Sequence, residues 1–219
     1  KTTCLINICE QLVAGNVLPI VFSYHDDIDE KLAAAFPNLS CSDGRSLGFN
    51  PMRVTHDGPL AHVESAGQLR DIFAAIFPDL GDLQLEQLRG AIKASYQELG
   101  WGNSATAGLQ PPPFRRFVEL LRQQERSDTR SQTLLARLSE LDDFEFFRGE
   151  QGAKSLLDST QPQILRVHVS KSDAVQRAYA SFALYSIYQD MFRRGRPDRI
   201  THAVIFDEAH RAAKLKLIP

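Results

Sequence analysis

Ala203-Val204-Ile205-Phe206-Asp207-Glu208-Ala209-His210 is an apolar run that ends in two adjacent carboxylates. The run from His202 to Phe206 is short and rich in β-formers, so it reads as a buried strand. If that strand belongs to a parallel sheet, it delivers both acids to the C-terminal edge, where such folds put their ligands. Carboxylates at a strand end are costly to bury unless a metal or a hydrogen-bond network compensates. Asp207 suits Mg²⁺ held through its water shell, and Glu208 suits polarisation of an attacking water. Asp207 as the N-cap of a following helix is the plainer alternative.

Outward from that stretch, the pattern stays α/β. Gln163 to Val169 reads as a strand and Asp173 to Arg193 as a long helix. Strand, helix, strand with a crossover of this length predicts a parallel sheet covered by helices. The front of the chain returns the same signal: a helix from Thr3 to Ala14 with Leu5, Ile8 and Leu12 at helical spacing, ended by Gly15-Asn16. A buried strand follows at Val17 to Tyr24, then a short helix from Asp29 to Phe36. Gly48-Phe49-Asn50-Pro51 breaks any regular element, because proline holds the residue before it extended.

The middle, from about residue 61 to 159, reads as mainly helical, with no convincing strand. Its apolar stripes run through Leu69, Ile72, Phe73, Ile76 and Phe77, through Leu88, Ile92, Tyr96 and Leu99, through Phe117, Leu120 and Leu121, and through Leu134, Leu135, Leu138 and Leu141. These are packing faces. Pro111-Pro112-Pro113 leads into the third of these helices, and Gly100 to Leu109 forms a loop.

At the very start, Lys1-Thr2-Thr3 opens an amphipathic helix. This matches what stands after the glycines of a G-x-x-x-x-G-K-[ST] loop. Lys1 would neutralise phosphate charge, Thr3 would follow in the same phosphate-binding turn, and the Thr2 hydroxyl would ligate Mg²⁺ at the helix N-terminus.

The chain has 219 residues, 43% hydrophobic and 24% charged, enough for a packed core. No apolar run is long enough to span a membrane. Cys4, Cys9 and Cys41 form neither a disulfide framework nor a zinc pattern, which suits a reducing, cytoplasmic compartment. A net charge of −2 argues against a surface that coats nucleic acid non-specifically. Arg193, Arg194, Arg196 and Arg199 cluster between the long helix and the last strand. Guanidinium groups suit phosphate, but a solvated connection opposite the ligand edge is the simpler reading. His25, beside Asp26 and Asp27, likewise reads as a solvated strand end.

Taken together, these stretches resemble the HerA/FtsK branch of P-loop motors and the related ATPases of conjugation systems. Lys1-Thr2-Thr3 resembles the end of Walker A, Val204 to His210 resembles Walker B, and Gly48-Phe49-Asn50-Pro51 resembles the family's asparagine-proline turn. Ile164 to Val169 with the helix through Tyr179, Phe182 and Tyr188 resembles the unit before Walker B. His25 stands where HerA-type chains often carry a D-P-H-G-E-like segment.

The resemblance implies a RecA-like core in two parts, 1–60 and 160–219, around a helical insertion at 61–159. It implies ATP and Mg²⁺ as cofactors, with Lys1, Thr2 and Thr3 on the nucleotide, Thr2 and Asp207 on the metal, and Glu208 and Lys1 in catalysis. DNA, further copies in a hexameric ring, and a nuclease or other effector are the implied partners. A nucleotide-dependent assembly scaffold is the rival expectation. A two-lobed DEAH helicase fits less well, given the asparagine-proline turn and the long helical stretch.

Overall fold

The structure is a computed structural model that describes residues 2–43, 49–54, 58–103, 108–125, 129–143 and 155–212. The chain divides into two compact units, one of residues 1–46 and 154–218, the other of 47–153.

The first unit is built on four parallel strands: β1 (Leu18–Ser23), β2 (Ser40–Asp43), β3 (Gln163–Arg166) and β4 (His202–Phe206), in the order β2-β3-β1-β4. β1 is central because five of its six residues are buried, leaving it no solvated face. Its side chains alternate across the sheet. Val21 joins Ile164 of β3 against α1 (Thr2–Ala14) and α2 (Asp26–Ala35), which contribute Leu5, Cys9, Ile28 and Leu32. Phe22, opposite Phe206 in the register, stacks on it with ring centroids 4.5 Å apart.

The expected parallel strands all form, with differences at their ends. The extended segment in β3 stops at Arg166, and Val167–Val169 makes one 3-10 turn. β2 was not legible: Ser-Cys-Ser-Asp is polar and mostly exposed, and only its pairing with β3 makes it a strand. In α1 the buried face is Leu5 and Cys9, while Ile8 points to solvent. Burial raises the Cys9 thiol pKa to about 11, as for an inert core cysteine. The turn after α1 takes its positive φ, 57°, at Asn16 and not at Gly15. Asn16 N–H then reaches Val13 O at 3.0 Å and Val17 N–H reaches Leu12 O at 2.8 Å, closing the helix.

α7 (Asp173–Arg194) crosses from β3 to β4 and is buried along most of its length. Ser172 caps its start by accepting from Val175 N–H. Gly195, at φ 72°, ends it, and its N–H bonds the Met191 and Phe192 carbonyls.

The second unit is helical: α3 (Ala61–Ile76), α4 (Asp82–Glu98), α5 (Phe114–Glu125) and α6 (Thr129–Asp143). The stripes read from sequence are its core, apart from Leu120, which is only partly buried, and Leu99, which lies past α4 and is exposed. Phe73, Phe77, Phe114 and Phe117 pack as an aromatic cluster. Asn50 holds its turn from both ends of its amide: Oδ1 accepts from Met52 N–H at 2.9 Å, and Nδ2 donates to Pro112 O at 2.9 Å. Gly48 of that turn lies outside the described residues.

Candidate active site

Parallel register brings the ends of β1 and β4 side by side, because Phe22 pairs with Phe206. The chain then continues as Tyr24-His25 on one strand and Asp207-Glu208 on the other. Asp207 is only 4% exposed. Its N–H donates to Phe22 O at 3.4 Å, and its Oδ2 accepts from Tyr24 N–H at 3.2 Å. The carboxylate thus fastens the two strand ends together, which compensates for its burial.

Glu208 has a different environment. Its side chain is partly exposed, and each oxygen faces an imidazole: Oε1 lies 3.0 Å from His25 Nε2, and Oε2 lies 3.0 Å from His210 Nδ1. The segment after it turns into a one-turn helix, α8 (Ala209–Ala212), with Arg211 N–H on Glu208 O at 2.9 Å. Arg211 anchors this turn. Its guanidinium lies 5.2 Å from the Tyr24 ring centroid, and Nη1 donates to Gln176 Oε1 of α7 at 2.8 Å. Burial, with Asp207 adding to it and Arg211 opposing, pushes the Tyr24 phenol pKa up to about 12, so it stays neutral.

The start of α1 reaches the same rim through α2. Thr2 Oγ1 donates to Asp27 Oδ2 at 3.3 Å, and Lys31 Nζ donates to the same oxygen at 3.3 Å. Burial opposes the shift, but these hydrogen bonds hold the Asp27 carboxyl below the usual range. Asp27 lies two residues after His25, so Thr2, Asp27, His25 and Glu208 follow one another around the edge. Thr3 is exposed on α1, and Lys1 lies outside the described residues. On the far side of His25, His168 Nδ1 is 2.7 Å from Asp26 Oδ1 and Nε2 is 2.8 Å from Asp29 Oδ2. Arg166 Nε adds a 3.4 Å contact to Asp29, so both strands flanking β1 hold the residues just after it.

Sequence reading missed several of these residues. His25 is a solvated strand end as read, with its ring half-exposed, and it also reaches Glu208. No local pattern could show this, since the two residues are 183 positions apart. Arg193 and Arg194 are not free phosphate-binding groups, as Arg193 Nη2 pairs with Asp190 Oδ1 at 2.8 Å and Arg194 pairs with Asp158. They cap the C-terminal end of α7, where cations favour the helix dipole.

Among the described residues no group of three or more His, Cys, Asp or Glu side chains could cage a metal. Likewise, no helix there is long and apolar enough to cross a membrane. The Asp207 carboxylate and the Thr2 hydroxyl are each an oxygen donor of the kind a hard cation such as Mg²⁺ takes, and in this structure they are bonded to Tyr24 N–H and to Asp27 Oδ2.

No protein-family model matches this sequence, and no curated protein matches it. Among solved structures, the chain is similar to VirB4 of Thermoanaerobacter pseudethanolicus, with a TM-score of 0.65. The likeness covers 94% of this chain and 81% of that one, at 19% identity. At such identity the likeness is one of fold, and the fold is α/β: a four-stranded parallel sheet with helices, consistent with a RecA-like core.

Proposed function

We propose that this chain is the ATP-hydrolysing core of a HerA/FtsK-like DNA translocase or helicase, with 1–60 and 160–219 as the ATPase frame and 61–159 inserted. The observation that carries the reading is the division of labour between two adjacent carboxylates. Asp207 is buried and hydrogen-bonded to Tyr24 N–H, whereas Glu208 is held at the surface of the same strand end between two imidazoles.

Under this reading Lys1, Thr2 and Thr3 bind the phosphates, and Thr2 and Asp207 would hold Mg²⁺. When bound, Mg²⁺ supplies positive charge that neutralises the phosphates. Glu208 positions a water and accepts its proton at a carboxylate oxygen, with His25 fixing the carboxylate's orientation. Asp207, tied to Tyr24 N–H, keeps the two strand ends from parting as charge shifts. Arg211 holds the turn that carries Glu208 against α7. DNA as the substrate, a hexameric ring and a nuclease or other effector partner complete the proposal. The order of the motifs, through its resemblance to HerA/FtsK-type motors, supports them.

ATP turnover with and without DNA, together with directional strand displacement, tests the reading. Hydrolysis stimulated by DNA and abolished in Glu208→Gln is the expected result. ATP binding that holds an assembly together, with turnover indifferent to DNA, would favour the scaffold instead.

A further inference from the structure

The C-terminal end of α7 carries an apolar surface that the proposed chemistry does not use. Most positions from Val175 to Asp190 are buried, but the outer stripe is not. Leu184 is partly exposed, and Tyr188, Met191 and Phe192 are 45%, 56% and 67% exposed. These positions recur at three and four residues, so they form one ridge about 12 Å long. The Tyr188 and Phe192 rings lie 4.6 Å apart, giving the ridge a preassembled aromatic pair. The connection to β4 adds Ile200, 73% exposed.

Charge follows this ridge in the chain, at the end of α7 and in the connection to β4. Arg193 and Arg194 are paired with Asp190 and Asp158, but Arg196 and Arg199 are exposed and make no ion pair among the described residues. We propose that this ridge and the two unpaired arginines form a docking surface for an acidic amphipathic helix of a partner protein. A ridge at helical spacing accepts another helix lengthwise, by ridges into grooves. Exposed Tyr, Phe and Met are the side chains that anchor protein interfaces. Carboxylates beside the partner's apolar stripe would meet Arg196 and Arg199. A second copy of this chain is the competing occupant, which the test follows by self-association. Nucleic acid fits worse, since two of the four local arginines are already paired and Asp198 stands between the other two, and phosphate affinity grows with the number of cations available.

The test uses the full chain and labelled peptides about five helical turns long, with leucines on one face flanked by glutamates or, in the control, by lysines. Anisotropy is read for both peptides and for single-stranded and duplex oligonucleotides, with sedimentation to follow self-association. Expected is binding of the glutamate peptide, about tenfold tighter than the lysine peptide. Met191→Ser/Phe192→Ser and Arg196→Glu/Arg199→Glu should each weaken it by about tenfold or more. These positions are exposed, and unchanged thermal melting confirms that the variants fold. Equal binding of both peptides would reduce the surface to bare apolar adhesion and overturn the proposal. So would absence of glutamate-peptide binding, whether oligonucleotide binding is lost with the arginines or self-association is lost with Phe192. ATP turnover plays no part in this readout, so the surface and the proposed chemistry fail independently.

Discussion

His25 Nε2 lies 3.0 Å from Glu208 Oε1, joining the end of one central strand to the end of its neighbour. If Glu208 activates water, His25 sets where that carboxylate points. His25→Ala should lower ATP turnover roughly ten- to a hundredfold with nucleotide affinity retained, since misplacement by about an ångström is costly. His25→Gln, which keeps a donor near that position, should recover part of the loss. Steady-state kinetics with a separate nucleotide-binding measurement checks this; a rise in the nucleotide Kd with turnover intact would sink it.

The two acids should respond differently to loss of charge. Glu208→Gln should slow hydrolysis by about a hundredfold or more while the protein still binds Mg-nucleotide. Asp207→Asn should weaken Mg-nucleotide binding at little cost in stability, because its amide oxygen can still accept from Tyr24 N–H. Nucleotide titration and denaturant unfolding on both variants decide the point. Wild-type hydrolysis in Glu208→Gln would remove the motor reading.

His62 gives the second unit an acid-sensitive point. Its ring is buried on α3, and desolvation, reinforced by Lys93 and opposed by a hydrogen bond that the ring donates to the Pro59 carbonyl, holds its pKa below the ordinary value near 6.5. The unfolded chain therefore binds the proton more readily than the fold does. The neutral ring's contribution is present above about pH 6.5 and is lost as pH falls through the lower folded value. Melting temperature should drop from pH 7.5 to 5, and His62→Leu should flatten that drop relative to wild type. Parallel curves for the two proteins would show that other groups carry it.

Gly102 sits beside the same ring. Its φ is +96°, and an added Cβ would lie 3.2 Å from His62 Cε1. Gly102→Ala should cost roughly 1–3 kcal/mol from the strained backbone, plus the displacement of His62. Gly108→Ala shares the positive φ, 82°, but its Cβ would meet nothing within 4 Å, so its loss should be the smaller. Urea midpoints of the two variants compare them directly; equal losses would mean that the contact with His62 adds nothing.

The sequence alone determined what is local. Apolar runs made β1, β3 and β4 strands, helical spacing made α3 to α7, and the acid pair stood visibly at a strand end. Burial enforces these patterns residue by residue, so they can be read without knowing neighbours. Tertiary structure decided the rest. Ser40–Asp43 is a strand only because β3 offers it backbone partners. His25 reaches Glu208, and Asp207 reaches Tyr24, only because β1 and β4 are adjacent, parallel and in register. Which strand ends lie side by side is a property of the sheet's order, set by how the whole core packs, and a one-residue slip would turn every one of those side chains to the other face.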